Sequence, residues 1–409
     1  MFFLIALFIM AYQFVIVNQG RPFSANSITY AFYAVDYSMG FCSRMLPGAV
    51  YNLLVGVYNM QAVSAFLYVL YFAFVLLLSF LLEKFVCAFP ENKQEVYFLM
   101  FLFLTGPFTL EIFFKEFGML DFHWALLFAI ACLFLRHRFL RFLIPLLVVL
   151  MNMTHYGAMI CYVAAVLLLL LFFSVKATTK QERYVYLLLF FITLLVGIGS
   201  TVFFLINDSN DLVYSLQEFD KILSEERHSA SWYYDFYLYK YIPSDMLEAH
   251  PFFKAANDLQ FDGKIQSLSD LGLFIISQIK TTFSFEASSK FLTINFSSIF
   301  LFVFLGYILF AYFKENKNLI KRFLSFLFFA LALLISLAGM LFSTDNTRWL
   351  GHSFIILFVF VFFVLYYDYR AGIKKIQTLL SKPNMFFVSV FLFFYAFTVI
   401  DPYTFEYLY

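Results

Sequence analysis

From Met60 to Leu82 the chain carries no charged residue, and apolar runs of similar length recur through its 409 residues. About 20 apolar residues suffice to cross the hydrocarbon of a bilayer as a helix. Within lipid each backbone N–H and C=O must find its partner inside the protein, so runs of this kind select helix. Composition agrees: 63% of the chain is hydrophobic and 13% charged, against roughly 25% charged in an ordinary soluble domain. Mean hydropathy is +0.84. The expected fold class is all-α, a polytopic integral membrane protein, and a net charge of +1 gives nucleic acid no foothold.

The runs predict about eleven transmembrane helices, over 1–17, 60–82, 96–114, 122–135, 139–151, 156–174, 184–206, 292–313, 323–342, 352–367 and 384–400. Met1 to Val17 lacks a basic leader and a small-residue cleavage site, so it reads as a retained first span. The apolar stretch 139–174 is interrupted by Asn152, Thr154, His155 and Gly157. A single helix there would put Arg136, Arg138 and Arg141 on the opposite face from Lys176, Lys180 and Arg183. Basic residues prefer the cytoplasmic side, so two short helices meeting at His155 are expected.

The same rule orients the whole chain. The edges at 83–95, 136–141, 175–183, 314–322 and 368–383 hold 16 of the 27 Lys and Arg residues. Short gaps on the other side hold four: Arg21, Arg44, Lys115 and Arg348. This places the N-terminus in the cytoplasm and the C-terminus outside, in a cytoplasmic (inner) membrane. Three regions follow: an N-terminal transmembrane bundle over 1–206, an extracytoplasmic helical segment over 207–291, and a C-terminal bundle over 292–409. The middle segment holds 13 acidic and 7 basic residues, and it is too long for a structureless loop. Its aromatic run from Trp232 to Tyr241 fits an interfacial belt better than a sugar-stacking platform.

No phosphate-binding loop, zinc-protease motif, nucleophile elbow or dinucleotide fingerprint is present. Cys42, Cys87, Cys132 and Cys161 form no CxxC, and the six histidines lack ligand spacing, so no metal site is expected. What remains is a set of ionisable residues at helix ends on the outer side: Asp36, Arg44, Glu111, Lys115, Glu116, Asp121, His155, Asp345, Arg348 and His352. Charges at membrane depth often mark a site or a pathway. Each one alone is as well explained by a side chain reaching harmlessly to the interface. Carboxylates of this kind can deprotonate a hydroxyl or stabilise an oxocarbenium-like transition state. Arginines hold phosphate bidentately without titrating.

The stretch from Asp36 to Gly48, Asp-Tyr-Ser-Met-Gly-Phe-Cys-Ser-Arg-Met-Leu-Pro-Gly, carries an acid and an arginine in the first outer gap. With Gly118–Asp121 and Asp345–Trp349, it resembles polytopic proteins of bacterial surface-polysaccharide synthesis. The topology looks like the GT-C fold of lipid-dependent glycosyltransferases, and is similar at low resolution to Wzy-type polymerases. The resemblance implies a polyprenyl-phosphate or diphosphate sugar as donor, a glycan acceptor, and no cofactor, with a divalent metal left open. It makes Asp36 the counterpart of the first-loop catalytic carboxylate, with Asp121 and His155 orienting the reactants. Arg44, Lys115 and Arg348, with Asp345 and Trp349, would bind substrate. Met119 and Leu120 stand where a basic residue would have strengthened phosphate binding, and Lys115 is the substitute. Two other readings remain: a flippase or transporter of such glycolipids, and ion pairs that only pin the loops.

Overall fold

The computed structural model describes residues 32–33, 36–37, 43–56, 60–104, 118–135, 137–207, 296–315, 346–367 and 372–379, with isolated positions at 106, 109, 112, 276, 327, 330 and 334. The regular elements among them are all helical. They are α1 (Leu46–Leu54), α2 (Met60–Cys87), α3 (Lys93–Leu104), α4 (Leu120–Phe134), α5 (Ile144–Thr154), α6 (Tyr162–Lys176), α7 (Lys180–Asn207), α8 (Phe296–Glu315), α9 (Asn346–Tyr367) and α10 (Gly372–Leu379). Short 3-10 turns at Pro90–Asn92, Leu140–Leu143 and Tyr156–Ile160 precede α3, α5 and α6.

Among the described residues, three stretches, Gln61–Cys87, Tyr156–Lys176 and Lys180–Phe204, are long and apolar enough to cross a membrane, and four shorter apolar helices accompany them. The distribution of exposed residues fits lipid as the solvent. Along α7, Tyr184, Leu188, Phe191, Leu195, Ile198 and Val202 recur every three or four residues, and all are exposed. The opposite face buries Tyr186, Leu189, Thr193 and Phe204. An exposed apolar stripe over a partly polar buried face suits a helix with hydrocarbon around it and a packed bundle behind it. The chain is a multi-pass membrane protein.

The stretch 139–174 does form two helices. Thr154 ends α5, and His155 is extended at φ −171° and ψ 130° before the 3-10 turn begins. The contacts along α7 fix their directions. Tyr186, near the start of α7, lies 5.2 Å from the Arg141 guanidinium and 5.6 Å from the Phe173 ring. Further along, Gly197 faces Val148, Met159 and Val163, and the Asn152 amide donates to Ser200 and Thr201. So α5 runs parallel to α7 and α6 runs back, as a hairpin that turns at His155. Arg141 and Lys176 share one end as the charge argument required.

Other basic ends gather there too. Lys176 Nζ sits 5.4 Å from the Tyr312 ring, near the end of α8. Phe173 meets Phe363 and Tyr367 at the end of α9, and Phe85 at the end of α2 meets Phe362 and Tyr366. The amphipathic helix α10, unforeseen in the apolar pattern because it is short and carries lysines, packs on α3 and α8 with Ile373 and Ile376 buried. One end of the bundle is therefore basic, and the ionisable set lies towards the other.

Some boundaries differ from expectation. The helix expected over 96–114 starts at Lys93 and stops at Leu104, just before Gly106 and Pro107. That over 352–367 begins at Asn346, so residues 346–351 of the gap expected between it and 323–342 belong to α9. Hydropathy misses such turns because polar side chains at a water-facing helix end cost little. The expected helices over 1–17, 323–342 and 384–400 lie outside the described residues, save the helical positions 327, 330 and 334. So does the 207–291 segment with its Trp232–Tyr241 run, apart from 207 and 276.

Candidate functional site

Asp121 owes its position to the turn before it. Gly118 adopts φ +85°, a left-handed conformation that glycine takes without steric cost. Met119 then extends, α4 starts at Leu120, and Asp121 falls in its first turn, where a carboxylate complements the helix dipole. The Gly-x-x-Asp motif is thus a way of starting a helix. Tyr33 braces the same turn, its hydroxyl donating to Gly118 O at 3.1 Å and lying 2.9 Å from His123 Nε2. Burial holds the Tyr33 phenol far above its ordinary pKa, so it keeps that proton.

The Asp121 carboxylate is buried and meets His352 from α9. His352 Nε2 lies 2.6 Å from Asp121 Oδ1, and Nδ1 lies 2.8 Å from the Tyr162 hydroxyl of α6. Only 1% of the His352 side chain is exposed. With Asp121 ionised, the imidazole donates through Nε2–H, and Nδ1 is free to accept the Tyr162 proton or, if protonated, to donate one. Three helices therefore share one chain of hydrogen bonds. Rings close round the imidazole: Tyr162 at 5.2 Å, Trp124 at 5.6 Å and Trp349 at 5.8 Å between centroids.

Trp124 also meets His155, 5.4 Å away and nearly perpendicular. Its Nδ1 accepts the Gly157 N–H at 2.8 Å, which caps the 3-10 turn. Arg44 arrives from the first gap. Its backbone N–H donates to Met153 O at 2.9 Å, satisfying a carbonyl that the end of α5 leaves unpaired. To do so Arg44 takes φ +72°, which costs a non-glycine residue on the order of 1 kcal/mol. Strain held at a buried arginine invites a functional explanation. The guanidinium Nη2 then lies 2.6 Å from His155 Nε2. Because Gly157 occupies Nδ1, the imidazole proton belongs on Nε2, facing another N–H donor. A guanidinium beside an imidazole is a grouping of the kind that binds oxyanions.

Gly157 makes this close packing feasible. A Cβ there would stand 2.9 Å from His155 Nδ1 and 3.2 Å from the Trp124 ring. Gly157→Ala should cost about 1–3 kcal/mol, the usual range for overpacking. The fall should show as a lower midpoint in SDS-driven unfolding of the micelle-embedded protein.

Asp36 is anchored differently: the Asn52 amide of α1 donates to Asp36 Oδ2 at 2.5 Å. The structure thus joins Asp121, His155, Arg44 and Trp349 around Trp124, with Asp36 tied to α1, which packs on α5. Arg348 occupies the first turn of α9. Lys115 and Asp345 lie outside the described residues, as do Glu111 and Glu116. His352 belonged to the ionisable set but not to the chosen site, while Trp124, Tyr162 and Asn52 went unnoticed. Among the described residues no group of three or more His, Cys, Asp or Glu side chains could hold a metal ion. No protein-family model, curated protein or solved structure matches the chain.

Proposed function

We propose that this membrane protein transfers or polymerises sugars from a polyprenyl-phosphate or diphosphate donor on the outer side of the cytoplasmic membrane, in a GT-C-like bundle of about eleven spans. The observation that carries the reading is the contact between Arg44 and His155, linked through the Trp124 ring to the Asp121–His352–Tyr162 chain. A guanidinium held against an imidazole suits a phosphate leaving group. Asp36, half-buried and accepting from the Asn52 amide, would be the carboxylate that takes a proton from an acceptor hydroxyl. Arg348, Lys115 and Asp345 would complete the substrate contacts, and the 207–291 segment would cover the site.

The test is gel electrophoresis of surface glycan from a strain lacking the gene, beside strains rescued with wild type, Asp36→Asn or Arg44→Ala. Polymerisation predicts collapse of the ladder to a single repeat unit, restored by wild type alone. Single-sugar transfer predicts a uniform small shift of every band. Hydrogen bonds to a charged group are worth about 1.5–3 kcal/mol, so Arg44→Ala should lower product roughly 10- to 100-fold. Full rescue by both variants would defeat the assignment, and unchanged glycan in the deletion strain would defeat the function.

One observation favours a second reading. Asp121 and His352 are buried between helices rather than held in loops, as a proton-coupled flippase would require. That reading predicts glycolipid crossing in proteoliposomes that depends on a proton gradient and fails in His352→Gln. Transfer chemistry predicts no crossing.

A further inference from the structure

The helix α1 stands at the ionisable end of the bundle, between Arg44 and the start of α2. Pro47 fits its first turn, and Pro47, Gly48 and Tyr51 are buried. The Tyr51 ring packs edge-on against Tyr33 at 5.9 Å and Phe66 of α2 at 5.3 Å. That accounts for one face. The other carries Val50, Leu53, Leu54 and Val55, with Leu53 85% and Leu54 67% exposed. Nine residues rise only about 14 Å, so α1 cannot span hydrocarbon.

The exposed residues are not scattered. They form one apolar patch on one short helix, whose buried edge is continuous through Phe66 with α2. In turn α2, long and apolar enough to cross a membrane, leaves Val69, Phe72, Leu76 and Phe80 exposed. A patch that adjoins the lipid-facing surface, at the level where spans end, suits the boundary between headgroups and acyl chains. We propose that α1 lies in the outer membrane–water interface with Leu53 and Leu54 inserted among the upper acyl carbons. Lipid is its occupant. The consequence concerns depth. Asn52 holds Asp36 from α1, and Arg44 enters two residues before it, so the insertion sets both at the level of lipid headgroups. The inference does not depend on any sugar chemistry.

Spin labels test it without an activity assay. A nitroxide is attached at Leu53→Cys or Leu54→Cys in the full chain, with Cys42 and Cys87 replaced by Ser, in nanodiscs of phosphatidylcholine and phosphatidylglycerol. A Leu195→Cys label marks the lipid face of α7, and a Glu91→Cys label marks water. Insertion predicts that oxygen relaxes the 53 and 54 labels several-fold more effectively than a water-soluble nickel chelate, with a depth shallower than at 195. Nickel relaxation matching position 91 would overturn the proposal, because the patch would then face water. Immobilised labels inaccessible to both reagents would overturn it as well, because protein would then cover the patch. A paired Leu53→Ala and Leu54→Ala chain, labelled instead at Val50→Cys, should show that label shift towards water if the leucines hold the helix down. An unmoved label would count against the anchor.

Discussion

Replacing Asp121 with Ala should cost about 3–5 kcal/mol of stability, because it leaves His352 buried without the acceptor on its Nε2–H. His352→Ala should cost about as much, since it takes from the buried Asp121 carboxylate the imidazole donor 2.6 Å away. The informative variant removes everything polar at once. Asp121→Leu with His352→Phe and Tyr162→Phe removes all three members of this hydrogen-bond chain together, and buried ion pairs replaced by well-packed apolar residues often come out neutral or better. Its stability should return close to wild type, far above the sum of the single losses. Unfolding midpoints in mixed SDS micelles measure all of this.

The same triple variant separates pinning from chemistry. If the chain only ties α4, α6 and α9 together, a stable apolar replacement keeps the surface glycan of a rescued strain. If Asp121 and His352 position reactants, the protein stays folded while the product disappears. Single substitutions cannot make that distinction, since each confounds loss of fold with loss of function.

Much of the architecture was written in charge and hydropathy. The break at Thr154–His155 followed from where Arg141 and Lys176 had to lie, and the contacts of Tyr186 with Arg141 and Phe173 place them at one end. The site was legible only by halves. Arg44, Asp121 and His155 stood out because charge is rare here, at 13% of residues. Their partners did not. Asp121 and His352 are 231 residues apart, and no local period links two helix starts so distant. His352 also stands at the very start of the expected helix rather than well inside it, because Asn346, Thr347 and Arg348 lower the hydropathy of a turn that is helical. Trp124 and Tyr162 were invisible for the opposite reason. Among 63 Phe and 28 Tyr, one more ring carries no contrast, and only packing shows which ring touches two imidazoles.

Trp124 is accordingly the residue whose loss should travel furthest. It is among the largest fully buried side chains, and its Nε1–H donates to Met151 O at 3.2 Å, one turn before α5 ends. Its ring contacts both His155 and His352. Trp124→Ala should cost about 3–5 kcal/mol, as large aromatic deletions in packed interiors do. Trp124→Phe keeps much of the volume but drops the N–H; Met151 O keeps the His155 N–H, so the loss should be about 0.5–1.5 kcal/mol, the net worth of one hydrogen bond. The two substitutions then predict different behaviour of the histidines. With Phe the rings stay packed, so Arg44 and His155 remain opposed and an anion should still protect the protein thermally. With Ala the wall between them is gone, the His155 ring can turn away from Arg44, and that protection should be lost. Melting the detergent-solubilised variants with and without inorganic pyrophosphate decides it. Equal protection of both would mean that Trp124 fills space and does not hold the two imidazoles in register.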